Sequence, residues 1–257
     1  MVFALNIGNT IITLGGFEED CISFTASIST RKTATAYEYA NSIVQILSLH
    51  GVAPEQVEGA IVSSVVPVLT AVLKQSLELL CHCRVLVVSA GVKTGLNIKV
   101  SQSTNLGTDF VCNAVSAVKY HPLPCAVFSL GTATTVCAID QKGQLLGTSI
   151  MAGVQTSLEG LCDRAVRLPQ ISLEAPNSLI GTNTFDSMQS GFIFGTASMI
   201  DGMGKRYAQI LGENTTFVIT GQYAKSILPY CENTYVYDEH LLLKGLYVIY
   251  RKNVRLK

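Results

Sequence analysis

The sequence predicts an α/β fold of two similar domains set around a central cleft. Three observations carry that reading. One pattern occurs twice, half a chain apart: an apolar strand, a polar residue near its end, a glycine turn bearing a hydroxyl, and a second apolar strand. It reads Ala4-Leu5-Asn6-Ile7-Gly8-Asn9-Thr10-Ile11-Ile12-Thr13-Leu14 near the start and Phe128-Ser129-Leu130-Gly131-Thr132-Ala133-Thr134-Thr135-Val136 in the middle. Short β-branched runs then alternate with stretches of helical periodicity in both halves. Finally, 257 residues with 48% hydrophobic content suffice for two domains of ordinary size, each with its own core. The passage between them falls near Pro122 and Pro124, giving domains 1–120 and 121–257.

Taken in order, residues 2–7, 11–16 and 21–27 read as three short antiparallel strands, with the charged turn Glu18-Glu19-Asp20 between the last two. Thr33 to His50 is helical, since Ala36, Tyr39, Ala40, Ile43, Ile46 and Leu47 recur at helical spacing, and Gly51 ends it. Gly59 to Ser63 is a buried strand. Pro67 opens a helix that runs to about Leu80, and Arg84 to Val88 is a further strand. A polar loop from Ser89 to Leu106 leads to Gly107-Thr108-Asp109 and a helix over 110–120. Strands follow at 125–129, 134–139 and 145–150, then a helix at 154–165 and a loop from Leu168 to Asn183. A long helix over 184–211, a strand over 217–220, a short helix over 221–228, a strand over 235–237 and a closing helix over 239–252 complete the chain.

Composition excludes several function classes. Lys+Arg and Asp+Glu are both 18, so no basic excess exists to neutralise a nucleic-acid backbone. Mean hydropathy is +0.37, yet no apolar run approaches the ~20 residues of a membrane helix. Met1-Val2-Phe3-Ala4-Leu5 lacks a basic leader and enters a strand at once, which argues against a signal peptide and for a cytoplasmic protein. Cys81 and Cys83 have no second pair nearby, so a zinc site is not expected, and most of the others (Cys112, Cys125, Cys137, Cys162) read as small core residues in a reducing compartment. His50, His82, His121 and His240 lie far apart without ligand spacing and read as surface or loop residues.

The chemistry-bearing candidates lie in the repeated hairpins and in Gly107-Thr108-Asp109. A turn with free amides and the hydroxyls Thr132, Thr134 and Thr135 can cradle a polyphosphate, and it can equally be a threonine-rich hairpin with no ligand. Thr10 and Thr132 are the best placed for phosphate contacts, with Gly8 and Gly131 letting the backbone approach. Asp109 reads as a general base or as a helix N-cap. Thr184 reads as the cap of the long helix.

The motifs together resemble type III pantothenate kinase, of the acetate/sugar kinase, heat-shock chaperone and actin superfamily. The family's Asp-x-Gly-Asn-Thr is met by Asn6 to Thr10, its Asp-x-Gly-Thr-Ala-Thr-Thr by Ser129 to Thr135, and its Gly-x-Asp-Arg by Gly107-Thr108-Asp109-Phe110. Gly181-Thr182-Asn183-Thr184, Gln189-Ser190-Gly191 and Thr220-Gly221-Gln222 follow in the family's order. The resemblance implies two ribonuclease-H-like domains, each a mixed sheet of βββαβαβα order, and ATP-dependent phosphorylation of pantothenate to 4′-phosphopantothenate in coenzyme A biosynthesis. It implies ATP contacts from Asn6, Ile7, Gly8, Asn9, Thr10, Ile11, Ile12, Thr13, Gly131, Thr132 and Gly221. Substrate contacts are implied for Gly107, Thr108, Asp109, Phe110 and Thr184, with Asp109 the base and Thr184 supplied by the other subunit of a homodimer.

Several chemical positions depart from the family pattern. Asn6 stands where the family has the Asp that helps hold Mg²⁺, and Ser129 where it has the Asp that binds K⁺ or NH₄⁺. Phe110 replaces an Arg, Gln222 a Gly, and Ser89-Ala90-Gly91 a Gly-Pro-Gly loop. Two readings follow: an active pantothenate kinase, or a catalytically impaired paralogue that binds nucleotide or pantothenate as a regulatory protein.

Overall fold

The computed structural model describes residues 1–100 and 106–254. Its contacts divide the chain into two units, Met1–Leu96 with Gln102–Ser116 and Leu241–Lys257, and Asn97–Ser101 with Ala117–His240. Residues 101–105 of the expected 89–106 loop lie outside the described residues.

The first unit contains β1 (Val2–Ile7), β2 (Ile11–Glu18), β3 (Cys21–Ser29), α1 (Ala36–Leu49), β4 (Gly59–Ser64), α2 (Pro67–Cys81) and β5 (Arg84–Val87). The sheet order is β3-β2-β1-β4-β5, with β1 antiparallel to β2 and parallel to β4. A central strand covered on both faces needs a nearly continuous apolar sequence, and Val2 to Leu5 supplies it. Helix α1 begins three residues later than its periodicity suggests because Thr35 is its cap. The Thr35 side chain accepts from Glu38 N at 3.3 Å, and Glu38 Oε2 accepts from Thr35 N at 2.7 Å, which satisfies two helix-start donors reciprocally. The apolar stripes of α1 and α2 pack with Phe3, Leu5 and Ile7 of β1. Each of those three strand side chains is fully buried, worth roughly 1.5–3 kcal/mol apiece.

The second unit contains β6 (Asn97–Ile98), β7 (Cys125–Leu130), β8 (Ala133–Ile139), β9 (Gln144–Ala152), α4 (Val154–Arg164), α5 (Thr184–Leu211), β10 (Thr216–Thr220), α6 (Ala224–Ile227) and β11 (Val236–Tyr237). Its sheet order is β11-β10-β7-β8-β9-β6. Five of these strands repeat the first sheet: β7 stands between antiparallel β8 and parallel β10, as β1 stands between β2 and β4. The sixth, β6, is a two-residue parallel pairing at the edge on β9, too short to leave a pattern in the sequence. Two helices, α4 and α5, fill the place that α1 holds in the first unit.

Helix α3 (Thr108–Tyr120) leads from one unit into the other, and α7 (Leu241–Asn253) returns the chain to the first. Helix α7 packs on β1, β4 and β2, whereas a boundary drawn at residue 120 assigns it to the second half. Its ring of Tyr247 stacks on Phe17 at 4.6 Å, and its buried face includes Leu241, Leu243 and Leu246. No helix among the described residues is long and apolar enough to cross a membrane.

One histidine departs from the surface reading. The His121 side chain is 9% exposed and lies 3.3 Å from Asp238 Oδ2, whose own side chain is 7% exposed. The sequence hides this because the two residues are far apart in the chain and meet only through the fold.

Candidate active site

In the first unit the hairpin between β1 and β2 closes at the pair Ile7 and Ile12. Gly8 N donates to Ile11 O at 3.0 Å, and a Cβ on Gly8 would lie 2.8 Å from that carbonyl, so the turn has no room for a side chain there. Thr30, beyond β3, braces the turn by donating from Oγ1 to Gly8 O at 2.8 Å and from its backbone N to Thr10 O at 2.9 Å. Asn9 and Thr10 are exposed, while Ile7 and Ile12 are core residues whose backbone alone could meet a ligand.

Asn6 is paired in register with Thr13 on β2 and Ser63 on β4. Ser63 Oγ lies 2.8 Å from Thr108 Oγ1, and Thr108 Oγ1 also donates to Ser64 O at 3.3 Å. These bonds pin the start of α3 to the end of β4. The structure thereby brings Asn6, Thr108 and Asp109 into one neighbourhood through Ser63, a residue the sequence reading did not single out.

Asp109 lies inside the first turn of α3 rather than at its cap, since the helix begins at Thr108. Burial pushes its carboxyl above the usual carboxylate range, against the backbone N–H groups of Phe110 and Asp109, which favour the charged form. Its Oδ1 is buried and finds no hydrogen-bond partner among the described residues, and the same holds for Asn6 Oδ1. A Cβ on Gly107 would lie 2.4 Å from Asp109 Oδ1, so the carboxyl folds back over that glycine. Phe110, where the resemblance implies an Arg, is a buried core residue.

In the second unit the hairpin between β7 and β8 closes at Leu130 and Thr134, one residue tighter than the first. Gly131 N donates to Ala133 O at 3.1 Å, and a Cβ on Gly131 would make only an ordinary contact, 3.8 Å from Ala133 O. The turn itself therefore does not demand glycine. Thr134 and Thr135 are buried strand residues rather than turn hydroxyls, which leaves Thr132 as the exposed one.

Crowding comes instead from glycines brought in from elsewhere in the chain. Gly153 N donates to Thr132 O at 3.1 Å, Thr156 Oγ1 donates to the same carbonyl at 2.7 Å, and a Cβ on Gly153 would sit 2.1 Å from Gly131 O. Gly221 has φ +100°, and a Cβ there would lie 2.5 Å from Leu130 O. Tyr223 N donates to Leu130 O at 3.1 Å, while Gln222 is exposed. Ser129 pairs with Thr135 and Thr220.

Thr184 is not a cap: Asn183 caps α5, accepting from Asp186 N at 2.9 Å. Thr184 is exposed and lines an open groove of about 600 Å³ with Asn183, Ser187, Leu161, Leu168, Met188 and Phe192. The loop before α5 is held by Ser190, whose Oγ donates to Leu179 O at 2.5 Å. Among the described residues no cluster of three His, Cys, Asp or Glu side chains could hold a metal.

Two units, each built on a central strand between an antiparallel and a parallel neighbour and each bearing a polar hairpin at the strand end, define the two-domain ribonuclease-H-like class. Solved structures agree. A protein described as a Baf family transcriptional activator from Campylobacter jejuni superposes with a TM-score of 0.62 at 18% identity, covering 99% of this chain and 100% of that one. The activator of 2-hydroxyisocaproyl-CoA dehydratase from Clostridium difficile, solved with bound ADPNP, gives 0.54 at 12% identity, covering 100% of this chain and 98% of that one. A sequence profile of type III pantothenate kinase matches residues 2–206. A type III pantothenate kinase of Halalkalibacterium halodurans is 36% identical over 254 residues, 99% of this chain and 100% of that protein. The chain belongs to the type III pantothenate kinase family, and so to the phosphotransferases. The family profile and the Halalkalibacterium halodurans relative give no support to the regulatory, non-catalytic alternative.

Proposed function

We propose that this protein transfers the γ-phosphoryl group of ATP to the hydroxyl of pantothenate, releasing ADP and 4′-phosphopantothenate for coenzyme A synthesis. The observation that carries the proposal is Asp109: a half-buried carboxyl with one buried, unpaired oxygen, fixed at the start of α3 by the Thr108–Ser63 contact. Phosphoryl transfer asks the protein mainly for positioning, charge stabilisation and a base for the attacking hydroxyl. Asp109 would accept the hydroxyl proton as the new O–P bond forms and the bond to ADP breaks, its raised proton affinity suiting it to that task. Thr10 and Thr132 would donate to phosphate oxygens, Gly8 and Gly131 would let the backbone close on them, and Gly107 and Thr108 would line the substrate.

Mg²⁺, when bound with ATP, would neutralise phosphate charge. Asn6 Oδ1, buried and unpaired, fits it as a neutral oxygen ligand supplementing the phosphates. Ser129 would offer a similar neutral oxygen to a monovalent cation. Thr184 would reach substrate from the other subunit of a homodimer in the cytoplasm. The apolar lining of its groove, with Ile180 and Phe185 exposed nearby, suits burial against a second copy.

The test follows ADP release by the purified protein with ATP, Mg²⁺, K⁺ and pantothenate. Turnover that requires pantothenate is expected, and a panel of other small alcohols and hydroxy acids should give far less. No pantothenate-dependent ADP release at any cation concentration would overturn the reading.

A further inference from the structure

Helix α3 carries a stripe of buried oxygens. Asp109 Oδ1, Asn113 Oδ1 and Ser116 Oγ are each buried without a hydrogen-bond partner among the described residues. They are spaced i, i+4 and i+7, which places all three within an arc of about 60° on one face of the helix. Asn113 is 3% exposed and Ser116 is 0% exposed. One unpaired buried oxygen costs roughly 1–3 kcal/mol, so three on one face call for a common cause. Side chains four and three residues apart on a helix have Cβ atoms about 5–6 Å from each other, within reach of a bond after small rotamer changes.

With the carboxyl ionised, the chemistry of the three groups allows one directed arrangement that satisfies all of them. A serine hydroxyl donates, an asparagine amide accepts at Oδ1 and donates at Nδ2, and a carboxylate accepts. We propose that Ser116 Oγ donates to Asn113 Oδ1 and Asn113 Nδ2 donates to Asp109 Oδ1, forming a buried chain that orients the carboxyl and favours its ionised, proton-accepting form. Both residues are positioning residues acting through Asp109, and the inference rests on the reading of Asp109 as the base. The chain opposes the effect of burial, which favours the neutral acid.

The other groups bearing on Asp109 are few and mostly neutral. From β4 and the helix start come the hydroxyls of Ser63 and Thr108. Asn6 of β1 is linked to this helix start only through its register pairing with Ser63. Cys112 lies on the next turn, and burial together with the Asp109 charge holds its thiol protonated. Helix α7 approaches at Gly245, where a Cβ would lie 1.9 Å from Cys112 O, and Lys244 is the cation next to it in sequence.

The experiment is the pH profile of kcat/KM for pantothenate at saturating ATP, for wild type, Ser116→Ala, Asn113→Leu, the double variant and Asp109→Asn. The acidic limb should move up by about one pH unit in Asn113→Leu and by a smaller step in Ser116→Ala. The double variant should match Asn113→Leu, because Ser116 acts only through Asn113. Limbs that stay at the wild-type midpoint, or shifts that simply add in the double variant, overturn the proposal; a merely structural role would lower stability and leave the limb in place. Should Asn113→Leu not fold, the limb of Ser116→Ala decides by itself. If Asp109→Asn keeps wild-type turnover, the base reading falls and the chain with it; if it loses turnover while the other limbs stay put, the chain alone falls.

Discussion

Asn6 and Ser129 occupy the same place in two sheets: Asn6 pairs with Thr13 across an antiparallel strand and Ser63 across a parallel one, and Ser129 pairs in the same way with Thr135 and Thr220. Each is the polar residue just before its hairpin, and each offers a neutral oxygen where the resemblance implies a carboxylate. Restoring Asn6→Asp and Ser129→Asp should raise kcat, by up to about 10³-fold for both together, and lower the Mg²⁺ concentration for half-maximal rate. Because Asn6 Oδ1 is buried and unpaired, the Asn6→Asp variant should also melt lower in EDTA and recover with Mg²⁺ and ADP. Steady-state kinetics across a Mg²⁺ titration and melting curves check both. An unchanged kcat and Mg²⁺ requirement would show that the neutral residues suffice.

Asp109→Asn should lower kcat by about 10²–10⁴-fold. Its stability effect has the opposite sign. Burial raises the folded-state affinity of Asp109 for its proton, so between the unfolded value near 4 and the higher folded value the native state holds more protons than the unfolded chain. Stability from this group is therefore full below about pH 4 and falls as pH rises through the folded value. The asparagine variant escapes that loss. Urea unfolding should find it more stable than wild type at pH 7, with the gain shrinking towards pH 4; equal stability at both pH values would contradict the assignment.

Gly221→Ala should be costly for two independent reasons. The backbone there has φ +100°, and the new Cβ would lie 2.5 Å from Leu130 O, at the strand end that feeds the Gly131 turn. A loss of at least about 2 kcal/mol is expected in chemical denaturation, with a raised KM for ATP. Gly131→Ala is the control for stability alone, since its Cβ would meet only Ala133 O at 3.8 Å. The expected difference between the two is large and in that order.

The strands and helices were mostly legible because their periodicities follow from burial: Val2 to Leu5 must be apolar to sit at the centre of a sheet, and Tyr39, Ile43 and Leu47 must share a helix face. The hairpins were legible for the same reason, as glycine between two apolar runs. Contacts made at long range were not. Ser63 gives no signal of its own in the sequence, yet it ties Asn6 to α3. Gly153 looks like an ordinary helix approach and turns out to abut Gly131 O. The hydroxyls of Thr134 and Thr135 counted with the turn although the strand was expected from residue 134; pairing with Leu130 and Ser129 puts both inside β8.

A homodimer that shares its sites makes a prediction no monomer can imitate. Asp109 belongs to one unit of the chain and Thr184 to the other. If each site takes its Asp109 from one subunit and its Thr184 from the partner, then Asp109→Asn and Thr184→Arg homodimers should both be nearly inactive. Mixed after unfolding and refolding together, half the dimers should carry one of each chain. In such a dimer one site inherits both defects and the other inherits neither, so activity should return to about a quarter of the wild-type level. Sites built within one subunit would give no recovery, because every site in the mixture would keep a defect. Analytical ultracentrifugation of the mixture, run beside the assay, separates failed complementation from failed dimerisation.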